Sequence, residues 1–156
     1  MNEKTVLLAE DNADDEFFTF RALQASGVAL DIHIARDGAE ALDMLLTTKG
    51  PSLNPDLILL DINMPKLDGI AVLARLREER RTRLTPVVML TSSSRPEDVT
   101  RAFNAGANSY LVKPLESSHL LQLVGDMARY WLRDSQLPAR GLPGEAARSP
   151  LQNSSR

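Results

Sequence analysis

The sequence predicts an α/β domain: a strand–helix unit repeated five times and wound around a parallel sheet. Three observations carry this expectation. Short apolar runs recur at residues 6–9, 32–35, 57–60, 87–90 and 110–112. Stretches with helical spacing follow them, at 14–25, 39–46, 70–79, 96–105 and 116–132. The runs at 6, 57 and 87 are near-continuous rather than alternating, which suits strands covered on both faces. Such an order winds with right-handed crossovers.

Each element has its own signals. The first strand runs into Glu10-Asp11-Asn12, residues that cap helices, and Gly27 stands where a helix C-cap belongs. The second strand holds His33, read as structural. After the second helix comes a polar loop, "TTKGPSLNPD", at 47–56. The third strand, Leu57-Ile58-Leu59-Leu60, ends on the bare carboxylate of Asp61, with Pro65 and Gly69 close behind. The next helix carries "ARLREERRTRL", a solvated face of Arg–Glu pairs. The fourth strand ends on Thr91. Ser94-Arg95-Pro96-Glu97 then offers an N-cap, a proline and an acid for a first turn, and Gly106 closes that helix. The fifth strand ends on Lys113, before Pro114. His119, near the start of the last helix, is also read as structural.

Composition bounds the function. A chain of 156 residues, 43% of them hydrophobic, forms one domain, expected at 4–132. Residues 133–156, rich in Pro, Gly, Ser and Arg, are expected to be a disordered tail, though Leu137, Leu142 and Leu151 leave docking of part of it open. A net charge of −3 gives no basic surface for nucleic acid or membrane. The absence of cysteine removes disulfides, thiolate zinc sites and cysteine nucleophiles. The start "MNEKTVLLAED" lacks a signal peptide, and no run approaches the ~20 apolar residues of a membrane span, so a cytoplasmic protein is expected.

Polar residues gather at the strand ends: Glu10 and Asp11, Asp61, Thr91 and Lys113. In an open α/β sheet that edge is where ligands bind. Three carboxylates brought together repel, and a hard divalent cation relieves them; Mg²⁺ fits because it accepts few carboxylates and a phosphate oxygen. Asp61 can then attack a phosphoryl group and hold it as an aspartyl phosphate. Lys113 supplies charge to the phosphoryl oxygens and the Thr91 hydroxyl donates to another. Taken singly, each residue has a plain reading as cap, turn, loop or surface lysine. Their joint occurrence, in order, favours the site.

With "LLAEDN", "DLILLDINMPKLDG", "PVVMLTSSS" and "GANSYLVKP", the chain resembles the receiver domain of two-component response regulators over residues 4–132. The resemblance implies a flavodoxin-like, doubly wound (βα)5 fold with five parallel strands in the order 2-1-3-4-5. It implies Asp61 as phosphoacceptor, with Glu10, Asp11, Asp61 and the Asn63 main-chain carbonyl as Mg²⁺ ligands. Thr91 and Lys113 become the phosphate-sensing pair, Tyr110 the switch aromatic, and the Lys113–Pro114 bond cis. Within the family the chain is similar to the small single-domain regulators of bacterial and cyanobacterial phytochrome kinases, by its loop before the third strand, its "YWL" helix ending and its lack of an output domain. The implied function is acceptance of a phosphoryl group from a partner histidine kinase, read out on the face of the fourth helix, fifth strand and fifth helix. Such a protein catalyses only its own phosphorylation and dephosphorylation and is not otherwise an enzyme.

Two surfaces are expected. The last helix has an apolar set wider than one core-facing stripe, which suggests a homodimer face at Leu121, Ala128, Trp131 and Leu132; the alternative is burial, or cover by the tail. The first helix holds Phe17, Phe18 and Phe20, and Phe18 and Phe20 lie ~200° apart. One is therefore expected to be exposed, and Phe17 or Phe20 to contact the kinase; the alternative is that all three are core. Two rival functions have distinct signatures. A haloacid-dehalogenase-type phosphatase needs a second aspartate two residues after its nucleophile, where this chain has Asn63. A phosphate-independent adaptor has no use for an intact acidic site.

Overall fold

Successive strand residues face opposite sides of a sheet, so a continuous apolar run can fill two cores at once. In the computed structural model, which describes residues 3–139, the inner strands do this. The elements are β1 (Lys4–Ala9), α1 (Ala13–Gln24), β2 (Leu30–Ala35), α2 (Gly38–Leu46), β3 (Leu57–Leu60), α3 (Gly69–Glu78), β4 (Val87–Thr91), α4 (Pro96–Ala105), β5 (Ser109–Val112) and α5 (Ser117–Arg129). All strand pairs are parallel, in the order β2-β1-β3-β4-β5. The expected doubly wound fold is the observed one.

Leu7, Ile58, Leu60, Val87 and Met89 pack on one face with Leu45, Val72, Leu73, Leu76 and Ala102 from α2, α3 and α4. Val6, Leu8, Leu57, Leu59, Val88 and Leu90 pack on the other with Ala22 and Leu23 of α1 and Leu120, Val124, Met127 and Ala128 of α5. Each fully buried Leu or Val side chain contributes about 1.5–3 kcal/mol. β3, with four buried residues, sits at the centre of both layers. That rigidity ends on Asp61.

Helix ends follow their caps. Asn12, Asp37 and Asp68 each accept a backbone N–H of the first turn, from Asp15, Glu40 and Ala71. Gly106 closes α4 with φ of 107°, a left-handed conformation that favours glycine. The half-buried Arg77 guanidinium donates to the carbonyls of Thr82, Arg83, Thr85 and Gly106 and to Asn108 Oδ1, tying the α3–β4 connection to the α4–β5 turn.

Several local expectations need correction. Ser94 does not cap α4: Arg95 holds that position without a side-chain bond, while Ser93 Oγ donates to Asp98 Oδ2 at 2.6 Å. Among the described residues no peptide bond is cis, so the expected cis Lys113–Pro114 bond is trans, the form favoured before proline by about 0.5–1 kcal/mol. The last helix is regular only to Arg129 and continues as a π turn over Tyr130–Asp134. The tail boundary expected at 133 falls inside that turn, and Leu137 still packs against the second core. Leu142 and Leu151 lie outside the described residues. Among the described residues no helix is long and apolar enough to cross a membrane.

Candidate functional site

The sheet ladder continues one residue past several strands and so fixes where the polar side chains start. Glu10 N–H donates to the Ala35 carbonyl at 3.0 Å, Asp61 N–H to Ala9 at 3.1 Å and Lys113 N–H to Thr91 at 2.8 Å. The turn after Asp61 folds back: Gly69 N–H donates to the Ile62 carbonyl at 2.9 Å. A Cβ on Gly69 would stand 1.9 Å from the Asp61 carbonyl oxygen. Only a bare backbone passes so close.

Glu10, Asp11, Asp61 and Lys113 therefore meet at one rim. Carboxylate oxygens of Glu10, Asp11 and Asp61 all lie within 4.8 Å of one another. Glu10 and Asp61 are buried, whereas Asp11 is open to water. Lys113 Nζ lies 2.5 Å from Glu10 Oε2, 3.2 Å from Asp61 Oδ2 and 3.0 Å from Asp15 Oδ2. One ammonium thus faces three carboxylates, and the charges cannot all be compensated. Burial, helped by the Asp61 charge and opposed by the Lys113 hydrogen bond, pushes the Glu10 carboxyl up to about 7. Burial alone would lower the Lys113 ammonium, but its bond to Glu10 and the charges of Asp61 and Glu10 outweigh this and hold it above the usual lysine range. The two directions are compatible: the surrounding negative charge keeps the lysine charged, and burial favours the protonated form of Glu10.

The donor set fits a hard divalent cation. It is all oxygen, carries excess negative charge, and on the Asp11 side leaves room for water or a phosphate oxygen.

The remaining predicted residues surround this centre. Thr91 is fully buried at the end of β4, and its Oγ1 accepts the Ser93 N–H at 3.4 Å. Tyr110 packs against the α2–α3–α4 core, and its hydroxyl donates to the Ser93 carbonyl at 2.9 Å. Ser93 thus links Thr91, Tyr110 and Asp98, a junction with no signal in the repeated serines of "TSSS". Asn63 N–H donates to Asp61 Oδ1 at 3.4 Å. Asp15 is the carboxylate that sequence reasoning passed over, because Asp14, Asp15 and Glu16 read alike as a first-turn acidic run. His33 stands 2.9 Å from Asp31, and His119 lies exposed beside Glu116.

The expected surfaces change in detail. Phe17 and Phe18 are both exposed, in edge contact with centroids 5.5 Å apart, and the Arg21 guanidinium lies over Phe17. Phe20 turns away to line a groove with Gln24, Val28, Leu30 and Ile32. On α5 and its π turn, Ala128 and Leu132 are buried against the core, so they cannot belong to a dimer face. The apolar set was wide because α5 packs on both α1 and the sheet. Leu121 and Tyr130 remain exposed, with Trp131 half-buried beside Tyr130.

Comparisons with known proteins agree with this geometry. The sequence pattern of the response regulator receiver domain matches residues 6–125. The chain is 35% identical over 139 residues to response regulator Rcp1 of Synechocystis, covering 87% of this chain and 94% of that protein. It is 38% identical over 134 residues to a probable methanogenesis regulatory protein, FilR2, of Methanothrix harundinacea, covering 85% and 86%. Among solved structures it resembles the phosphorylated cyanobacterial phytochrome response regulator RcpA, with a TM-score of 0.81, 34% identity and coverage of 88% and 100%. It also resembles the Mn²⁺-bound form of Rcp1, with a TM-score of 0.80, 35% identity and coverage of 87% and 99%. Fold, acidic rim and relatives converge: the chain belongs to the response regulator receiver domain family.

Proposed function

We propose that this protein is a response regulator whose receiver domain accepts a phosphoryl group on Asp61 from a phytochrome-type histidine kinase. The observation that carries this reading is the buried Asp61 carboxylate held within reach of Lys113 and beside Glu10 and Asp11. An Asp61 oxygen attacks phosphorus; the bond from phosphorus to the donor's imidazole nitrogen breaks, and its electron pair stays on that nitrogen. Lys113 stands ready to meet the charge of the transferred group, and Thr91 to donate its hydroxyl. Glu10, Asp11, Asp61 and the Asn63 carbonyl would hold Mg²⁺, which when bound offsets the charge of the phosphoryl oxygens. The test is intact-mass spectrometry after treatment with a small acyl phosphate and Mg²⁺. One phosphoryl mass on the intact protein is expected; no gain, with the fold intact, overturns the reading.

Metal binding has its own readout. Mg²⁺ or Mn²⁺ at about 100 times its dissociation constant should stabilise the protein by about 2.7 kcal/mol. That corresponds to a rise in Tm of roughly 5–10 °C for a domain of this size. Asp11→Asn, at an exposed ligand, should remove most of the rise and leave the metal-free Tm within a degree or two.

Signal output is assigned to α4, β5 and α5, because Tyr110 and Asp98 tie the Ser93 loop to that face. Phe17, exposed on α1, is the proposed kinase contact. Leu121 and Trp131 are the proposed centre of a two-fold homodimer. Sedimentation velocity should show a dimer that Leu121→Glu dissociates; a monomer at high concentration, with and without acyl phosphate, would rule it out. This reading places the protein in the cytoplasm.

A further inference from the structure

Lysine has three N–H donors, and those of Lys113 are all engaged, by Glu10, Asp61 and Asp15. The three acceptors differ. Glu10 and Asp61 are sealed in the rim, whereas the Asp15 side chain is 40% exposed. Asp15 is also held in place: its N–H donates to Asn12 Oδ1, and Asn12 N–H donates to Glu10 Oε1. The cap of α1 thus anchors the backbone that presents a carboxylate to the lysine from outside the acidic triad.

We propose that Asp15 is a positioning residue that competes with the incoming phosphoryl group for Lys113. The inference rests on phosphoryl acceptance at Asp61. A phosphoryl group on Asp61 brings oxygens that need the ammonium, so one existing bond must be released. The Asp15 bond is the one that breaks, because its carboxylate can be rehydrated where it stands, while those of Glu10 and Asp61 are shut away from water. Asp15 therefore holds Lys113 ready in the unphosphorylated protein and sets how firmly the ammonium commits to the phosphoryl group. In the transfer itself an Asp61 oxygen bonds to phosphorus, the acyl phosphate's P–O bond breaks, and the electron pair departs with the released carboxylate. Asp15 takes no part in bond making.

The test compares the full-length protein with Asp15→Asn, Asp15→Glu and Asp14→Asn, each given acyl phosphate and Mg²⁺ with the donor then removed. Asp15→Asn should raise the phosphorylated fraction and lengthen the phosphoryl lifetime by roughly two- to five-fold, the modest range of a solvent-screened ion pair. Asp15→Glu should restore wild-type values. Asp14→Asn removes an equal charge from the same helix turn and should change nothing. If Asp15→Asn matches wild type, or Asp14→Asn matches Asp15→Asn, Asp15 has no specific claim on the lysine and the inference is wrong. Wild-type protein that acquires no phosphoryl group would instead overturn phosphoryl acceptance itself, and the Asp15 role with it.

Discussion

Asp61→Asn should abolish the gain of phosphoryl mass from both acyl phosphate and phosphorylated kinase. An amide has no free carboxylate oxygen to attack phosphorus, and no other carboxylate is presented with the same surroundings. Asp11 is exposed, and Glu10 is bound to Lys113, its carboxyl pushed up to about 7 by burial. The substitution should not unfold the protein. Asparagine has nearly the same size, and Lys113 keeps Glu10 and Asp15. Removing one of three crowded carboxylates also eases their repulsion. Unchanged or slightly raised Tm together with complete loss of phosphorylation is therefore the expected pair of results. Residual phosphorylation above a tenth of wild type would show that another residue accepts the group.

Gly69→Ala should damage fold and function together. The added Cβ would meet the Asp61 carbonyl oxygen at 1.9 Å, its carbonyl carbon at 2.8 Å and Ile62 Cα at 3.0 Å. These are backbone atoms, so no side-chain rotation relieves the clash. Either the start of α3 moves outward, losing the Gly69-to-Ile62 hydrogen bond, or the end of β3 moves and carries Asp61 with it. Overpacking of this kind costs up to about 3 kcal/mol, against a gain of under ~1 kcal/mol from alanine's better helix propensity. A Tm drop of roughly 4–12 °C follows for a domain of this size. Displacing the nucleophile by about 1 Å should slow phosphoryl acceptance on the order of a hundredfold. Thermal melts and a phosphorylation time course check the two effects separately. A stable variant with wild-type rates would show that the β3–α3 turn has slack that the close approach denies.

Much of this protein was legible in the sequence because much of its information is local. The near-continuous apolar runs at 6–9, 57–60 and 87–90 suit strands buried on both faces, and each is one. Asn12 and Gly106 punctuate α1 and α4 within one turn of where they act. Glu10, Asp61 and Lys113 follow strands directly and Thr91 ends one, so parallel strand order alone puts them on the same edge. What sequence reasoning missed depends on distance in space. Ala128 and Leu132 look like any other apolar residues of the last helix until α1 and the sheet are seen to bury them. Phe18 is exposed and Phe20 lines a groove because the packing of α1 against α5 and β2 decides which side of the helix is covered.

The electrostatics divide in the same way. The chain by itself determined that carboxylates and a lysine would share a rim, since chain order and strand polarity suffice for that. The tertiary structure decided which oxygens the lysine touches. Its partners Glu10 and Asp15 lie 103 and 98 residues away along the chain. Hydrogen bonds form only within about 3 Å, so a rotation of ~100° about the axis of α1 separates Asp15, which reaches Lys113, from its neighbour Asp14, which does not share that bond.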